Sequence, residues 1–402
     1  MEASNLNAEQ KKPRWGYTTG TCAAAASLAA ALMLLTGKLQ EQVSVITPKG
    51  FRLSLEVEDI CKGKKQVSCA VRKDAGDDPD VTDGLLIYAS VSMEDGQSEK
   101  ENAQNRKSGF YVFKNDNISL KLYGGVGVGT VTKPGLSCEV GKPAINPVPQ
   151  KMIFEQVASV CDRAGYKGAL SIVIFVPGGE ETAARTFNPK MGIKGGISIL
   201  GTSGMVEPMS QSALLETIRL ELRQKHLEGQ DELILTPGNY GETFLRDKMN
   251  LSLEHAVKCS NFIGDSIDMA AEEGIRKILL VGHGGKLLKL AAGIMNTHSS
   301  VADGRMEILA AYGAACGAEK KLVEAVLAAV TVDQGLKLLE SVEGLREGTM
   351  ERIMERIYWH LKSRAAGRLV IEAVVFTNER GVLGQTPGAE GLLRLFGFRQ
   401  KG

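Results

Sequence analysis

Apolar and polar positions alternate through much of the first third of this chain, and then the period changes. Short runs at 43–47, 52–57, 66–72, 85–91, 110–113 and 118–122 read as strands. Arg52-Leu53-Ser54-Leu55-Glu56-Val57 shows why: every second residue is apolar, as in an antiparallel sheet with one covered face. Pro48-Lys49-Gly50 predicts a hairpin turn between the first two. Ahead of them, an alanine- and leucine-rich run at 21–35, stopped by Gly37, predicts a helix. From about residue 151 helix and strand patterns take turns. Helices are predicted at 152–164, 208–223, 261–273 and about 285–295, with continuous apolar strands at 169–176, 232–236 and 277–281. Uninterrupted apolar strands separated by helices predict a parallel sheet covered on both faces. A helical stretch over roughly 305–364 leads to a last strand pair at 369–376 and 382–383.

This change of period predicts two domains. Residues 1–13 are a mobile tail, and 14–143 form an α+β N-terminal domain, an antiparallel sheet with a packed helix. Within it, 92–108 is almost wholly polar and reads as a surface insertion. Ala144-Ile145-Asn146-Pro147-Val148-Pro149 has two prolines in three residues and reads as a linker over 144–150. Residues 151–402 then form an α/β C-terminal domain, a mostly parallel sheet with helices on both faces. A length of 402 residues agrees with two cores rather than one.

Composition narrows the function classes. The content of 43% hydrophobic and 24% charged residues is that of a globular protein. A formal net charge of +1 argues against binding nucleic acid or an acidic membrane through bulk charge, so recognition of an acidic ligand must be local. The longest apolar stretches, such as 28–35, are expected to fall far short of a bilayer span, and the polar residues 1–13 predict no secretory signal. The seven cysteines are scattered without a Cys-x-x-Cys pair, which predicts reduced thiols in a cytoplasmic protein. The five histidines are dispersed too, and no metal site is expected.

Candidate chemistry begins at Gly16-Tyr17-Thr18-Thr19-Gly20-Thr21-Cys22, followed by Ala23-Ala24-Ala25-Ala26. A small, hydroxyl-rich turn entering a helix leaves unpaired N–H groups with about half a positive charge behind them, an anion site. It equally describes an ordinary buried, capped helix. Three further candidate strands end in small or polar loops: Gly201-Thr202-Ser203-Gly204, Thr236-Pro237-Gly238-Asn239-Tyr240-Gly241, and Gly282-His283-Gly284-Gly285-Lys286. In an open α/β sheet the ligand crevice lies outside the carboxyl ends of the strands, so these loops predict a small-molecule site. The third is not a phosphate-binding P-loop, because Leu287 follows Lys286 and Leu280 stands where its first glycine belongs. Gly124-Gly125-Val126-Gly127-Val128-Gly129 lacks the dinucleotide spacing and reads as a bend where backbone approaches backbone or ligand. The acidic loop Asp74 to Asp83 reads as a set of Asx-turns in preference to a cation site.

The opening motif resembles that of the cobalt-precorrin-5B C1-methyltransferase family of anaerobic cobalamin biosynthesis. Matches follow in family order: Asp77-Asp78-Pro79-Asp80-Val81-Thr82, Ala144-Ile145-Asn146-Pro147-Val148-Pro149, Gly195-Gly196-Ile197-Ser198-Ile199-Leu200-Gly201-Thr202, Ser260-Asn261-Phe262-Ile263-Gly264, Gly282-His283-Gly284-Gly285-Lys286 and Asn296-Thr297-His298-Ser299. They span roughly 14 to 384. The resemblance implies transfer of a methyl group from S-adenosyl-L-methionine to C1 of cobalt-precorrin-5B, giving cobalt-precorrin-6A. On this reading Gly201, Thr202, Gly238, Asn239, Gly241, Glu242, Gly284 and Gly285 hold the cofactor. Thr18, Thr19, Gly20, Thr21, Arg185, Lys190, Lys194, Lys286 and Arg305 meet the carboxylate arms of the tetrapyrrole. His283, between glycines after an apolar strand, is the first choice for a general base or axial cobalt ligand, ahead of His298. Cys22 reads as a packing residue, not a nucleophile. Two rivals stay open, a small-molecule kinase and a non-catalytic tetrapyrrole-binding protein. So does the oligomeric state, a homo-oligomer included.

Overall fold

The structure is a computed structural model that describes residues 13–94, 109–208 and 210–397. It divides into two compact units, residues 1–210 and 211–402. Most of the polar insertion expected at 92–108, and all but the last residue of the expected tail, lie outside the described residues.

In the first unit β1 (Gly16–Tyr17) leads into α1 (Thr19–Thr36). The strands β2 (Gln42–Ile46) and β3 (Arg52–Glu56) form a hairpin, and β4 (Glu58–Lys62), β5 (Gln66–Arg72), β6 (Leu86–Met93), β7 (Phe110–Lys114) and β8 (Ile118–Gly124) follow. After the short strands β9 (Gly127–Val128) and β10 (Thr130–Val131) come α2 (Pro147–Ala164) and β11 (Gly168–Phe175). The unit ends with α3 (Gly179–Ala183), β12 (Ile193–Lys194), β13 (Gly196–Ile197) and β14 (Met205–Val206), the last paired with β1. The main sheet has six strands in the order β4-β5-β6-β11-β8-β7. Its pairs are antiparallel except for β11 beside β8. α1 and α2 share one core with it.

That arrangement corrects the domain boundary. The segment expected to be a linker is buried at Ala144 and Ile145, and its prolines open α2. Proline suits the first turn of a helix, where its missing N–H costs nothing, so the same two residues read equally well as a helix start. The apolar run expected to begin the second sheet is β11, central in the first. A second correction concerns α1, which is long and apolar enough to cross a membrane. Of its window, 78% is buried within the unit. Helices apolar all round are buried ones, and the alanines here allow close approach on every side.

The second unit runs α4 (Gln211–Leu227), β15 (Glu232–Thr236), α5 (Asn239–Asp247), β16 (Ala256–Lys258), α6 (Ile263–Glu272) and β17 (Lys277–His283). Then come α7 (Gly284–Leu287), a 3-10 turn (Leu288–Ala292), α8 (Arg305–Ala315), α9 (Lys320–Leu327), α10 (Val332–Leu339) and α11 (Leu345–Ala365). The chain closes with β18 (Val370–Thr377), β19 (Gly381–Gln385) and α12 (Ala389–Leu395). The sheet order is β16-β15-β17-β18-β19, parallel but for β19. Alternate strand residues feed two cores. Leu233, Leu235, Ile278, Leu280, Ile371 and Val375 pack with α4, α6 and α8 to α11. Ile234, Leu279, Val281, Val374 and Phe376 pack with α5 and α12. The helix expected over 285–295 is instead two short pieces, stopped at Gly293 with φ +75°.

Candidate functional site

The Thr18–Thr21 turn is closed, contrary to the open anion site expected there. Thr18, Thr19 and Thr21 are 7%, 4% and 0% exposed. The Gly20 N–H donates to Leu200 O at 3.0 Å, the Thr21 N–H to Thr18 Oγ1 at 3.2 Å, and the Cys22 N–H to Thr18 O at 3.1 Å. The Thr21 hydroxyl donates to Gly204 O at 2.7 Å, and Thr19 Oγ1 accepts from the Leu200 N–H at 3.0 Å. The plug is the 198–204 segment. Gly201 and Thr202 therefore lie in the first unit, not on the α/β sheet that was expected to carry them. Burial also pushes the Cys22 thiol up to about 12, as a packing residue requires.

The glycines of 124–129 bring backbone against backbone. A Cβ on Gly127 would lie 1.8 Å from Val176 O, and one on Gly196 would lie 2.2 Å from Gly127 O. The acidic loop is a set of turns: Asp74 accepts from the Gly76 N–H at 2.8 Å, Asp80 from the Thr82 N–H at 2.8 Å, and Asp83 from the Ala75 N–H at 2.7 Å. Arg185, Lys190 and Lys194 are exposed near the end of this unit, with no ion pair among the described residues.

In the second unit the strand order sets the carboxyl ends of β15 and β17 side by side. Gly238 there has φ +135° and ψ −174°, a conformation that in practice only glycine adopts. A Cβ on it would find nothing within 4 Å except Lys286 Nζ at 3.6 Å, so its backbone is uncovered. Asn239 and Glu242, one helical turn apart, are bridged by Lys258 at the end of β16, at 2.8 Å and 2.9 Å. Gly241 and Gly284 face inward instead. A Cβ on Gly241 would meet Thr236 and Val281 O at 2.9 Å, and one on Gly284 would meet Leu288 at 3.3 Å. They let α5 and α7 lie close to the sheet.

His283 caps α7: its Nδ1 accepts from the Gly285 N–H at 3.0 Å. An accepting Nδ1 puts the proton of the neutral ring on Nε2. Burial holds its pKa below the ordinary value, against the opposing charge of Asp333. The ring is therefore a neutral donor. A base or cobalt ligand at Nε2 would need the other tautomer and would forfeit the cap. Lys286 donates to Pro237 O, tying the two loops together, and burial lowers its pKa. Arg305 is committed to Asp303 at 2.7 Å and holds that carboxyl far below its usual range. His298 accepts at Nδ1 from the Ser300 N–H at 3.1 Å within its own exposed turn, and caps no helix.

Several residues around this edge carry no motif. Lys258 comes together with the site only through strand order, whereas Tyr240 lies within the 236–241 loop and gains its place from the ring of His283 beneath it. Lys289, 2% exposed, donates to Thr297 O at 3.1 Å and Ala302 O at 2.7 Å and so holds the Asn296-Thr297-His298-Ser299 turn. Its spacing of three from Lys286 on a short helix was the available signal.

A family model described as CbiD matches residues 6–208, and one described as CbiD, C-terminal domain matches 296–387. A protein of Ruminiclostridium cellulolyticum named cobalt-precorrin-5B C(1)-methyltransferase is 48% identical over 92% of this chain and 90% of its own. A relative of the same name from Thermoanaerobacter is 45% identical over 93% and 96%. A crystal structure of a cobalamin biosynthesis protein (cbiD) from Archaeoglobus fulgidus is 29% identical, covering 72% of this chain and 83% of that one, with a TM-score of 0.36. With both models matched and close relatives aligned over nearly its whole length, the chain belongs to the CbiD family.

Proposed function

We infer that this chain is a methyltransferase that methylates cobalt-precorrin-5B at C1, giving cobalt-precorrin-6A in cobalamin biosynthesis. The observation that carries the reading is 48% identity over 92% of the chain to a protein of that name. S-adenosyl-L-methionine, when bound, supplies an electrophilic methyl to an electron-rich ring carbon and leaves as S-adenosylhomocysteine. Such a displacement needs no nucleophilic side chain; it needs the two reactants held in line with water kept out. The buried thiols fit that demand, since Cys22 and Cys259 are both pushed up to about 12 by burial and stay protonated.

The carboxyl edge of β15 and β17 suits the donor. Gly238 leaves backbone uncovered, and Glu242 and Asn239 supply acceptors for ribose hydroxyls or the methionyl amine. His283 contributes an Nε2–H donor, and Lys286 braces the loop. Gly285 lines the mouth, half-exposed behind the His283 cap. In the first unit Arg185, Lys190 and Lys194 are exposed cations, without an ion pair among the described residues, that suit acetate and propionate arms. The kinase alternative loses its physical basis with the closed Thr18–Thr21 turn. Seven free cysteines, five of them buried, fit a reducing compartment and so a cytoplasmic enzyme.

The deciding experiment is anaerobic incubation of cobalt-precorrin-5B with the protein and S-adenosyl-L-methionine, read by mass spectrometry. The expected result is a gain of one methyl group, with one S-adenosylhomocysteine formed per product. Macrocycle binding without methyl gain would instead identify a carrier.

A further inference from the structure

Aromatic rings at the carboxyl edge of the second unit form a ladder that runs outward. Phe244 lies flat on Phe376, with centroids 3.8 Å apart and planes 8° from parallel. His283 meets Phe376 edge-on at 5.7 Å, and Tyr240 leans on His283 at 5.7 Å. Exposure is 0% at Phe376 and 7% at Phe244 but 65% at Tyr240. Leaving a ring of this size in water forgoes favourable burial. Its place is specific: Tyr240 is the second residue of α5, two residues past the uncovered Gly238. The same helical turn presents Asn239 and Glu242 on its other flank, held by Lys258.

We propose that Tyr240 is the stacking surface for the adenine ring of the methyl donor, with Glu242 accepting from the ribose hydroxyls. This rests on the donor placement proposed above. A flat heteroaromatic needs a π face that is accessible before binding and fixed in tilt, and His283 beneath Tyr240 provides the second condition. The macrocycle is the other flat conjugated ligand in this reaction. Its carboxylate arms are acceptors only and bring no hydroxyl to donate to Glu242, whereas the ribose brings two, which favours the nucleoside.

The test is calorimetry of the full chain with S-adenosylhomocysteine, beside the KM for the macrocycle. Base–aromatic stacking is worth about 1–3 kcal/mol by alanine substitution, so Tyr240→Ala is expected to weaken the nucleoside about tenfold or more. Tyr240→Phe should bind within about twofold of wild type, since the ring and not the hydroxyl carries the contact. The macrocycle KM should not change. Equal nucleoside affinity in Tyr240→Ala and wild type overturns the stacking, while methyl transfer by the wild type leaves the proposed function standing. A loss confined to the macrocycle KM overturns it as well, by giving the ring to the substrate. If Tyr240→Ala melts early, Glu242→Gln tests the ribose half: S-adenosylhomocysteine should weaken severalfold and free adenine not at all. An unchanged ratio between those two ligands sinks the proposal.

Discussion

Each unit has a glycine-bearing turn that opens a helix, and the two turns have opposite fates. At Thr18–Thr21 the chain returns about 180 residues later, and Leu200 and Gly204 take up the amides and hydroxyls. At Gly238–Tyr240 the distant contacts are side chains, Lys258 on Asn239 and His283 beneath Tyr240, and the turn stays at the surface with Tyr240 65% exposed. Local sequence is much alike in the two: small residues, a polar neighbour, then a helix. What separates a structural cap from a candidate binding edge is a distant segment, which no window of sequence around either turn contains.

Two alanine substitutions give the strongest test of that contrast. Gly201 and Gly238 have φ of +146° and +135°, so either change costs about 1–3 kcal/mol of backbone strain. Only at Gly201 does the new methyl also collide, 2.1 Å from Thr18 Oγ1. Overpacking of a closed site adds about 1–3 kcal/mol. Thermal melts should therefore place Gly201→Ala well below Gly238→Ala, with several degrees between them. Equal losses would mean that the 198–204 segment is not a rigid plug.

A milder pair reverses the readout. Thr21→Val keeps the volume and removes the buried donor to Gly204 O, a loss of about 1–2 kcal/mol, with nucleoside affinity unchanged. Lys258→Met breaks a partly exposed pair with Glu242 worth less than about 1 kcal/mol, so the melt should hardly move. Calorimetry should then show a change in S-adenosylhomocysteine binding, because Glu242 and Asn239 lose their brace. If both variants alter only stability, the second turn is as structural as the first.

The same contrast explains what was legible in the sequence. The strand at 232–236 and the run 66–72 were readable to the residue, because alternation and burial on both faces leave local marks. The division between units was not. Prolines 147 and 149 serve linkers and helix starts alike, and only the pairing of β11 with β6 and β8 decides between them. His283 and Gly238 stood out by their surroundings. Lys258 and Tyr240 did not, since one needs strand order and the other needs the His283–Phe376 stack beneath it to acquire a role.

The smallest expected effect lies in His283 and is read through pH. Burial lowers its pKa from the ordinary 6.5, so between its folded pKa and 6.5 the unfolded chain binds the proton more readily than the folded one. Its contribution is whole above about 6.5 and is lost as the pH falls through that window. His360 is lowered too, by burial first and Arg356 second, so acid destabilises the unit through both rings. His283→Asn separates them. Asparagine is as good a cap for the Gly285 N–H, so stability at neutral pH should stay within about 0.5 kcal/mol of wild type. Below pH 6.5 the variant should lose stability less steeply, because one of the two protons no longer enters. Parallel acid profiles for the variant and wild type would show that folding leaves the His283 pKa unshifted, and the burial of its ring at the donor site would have to be given up.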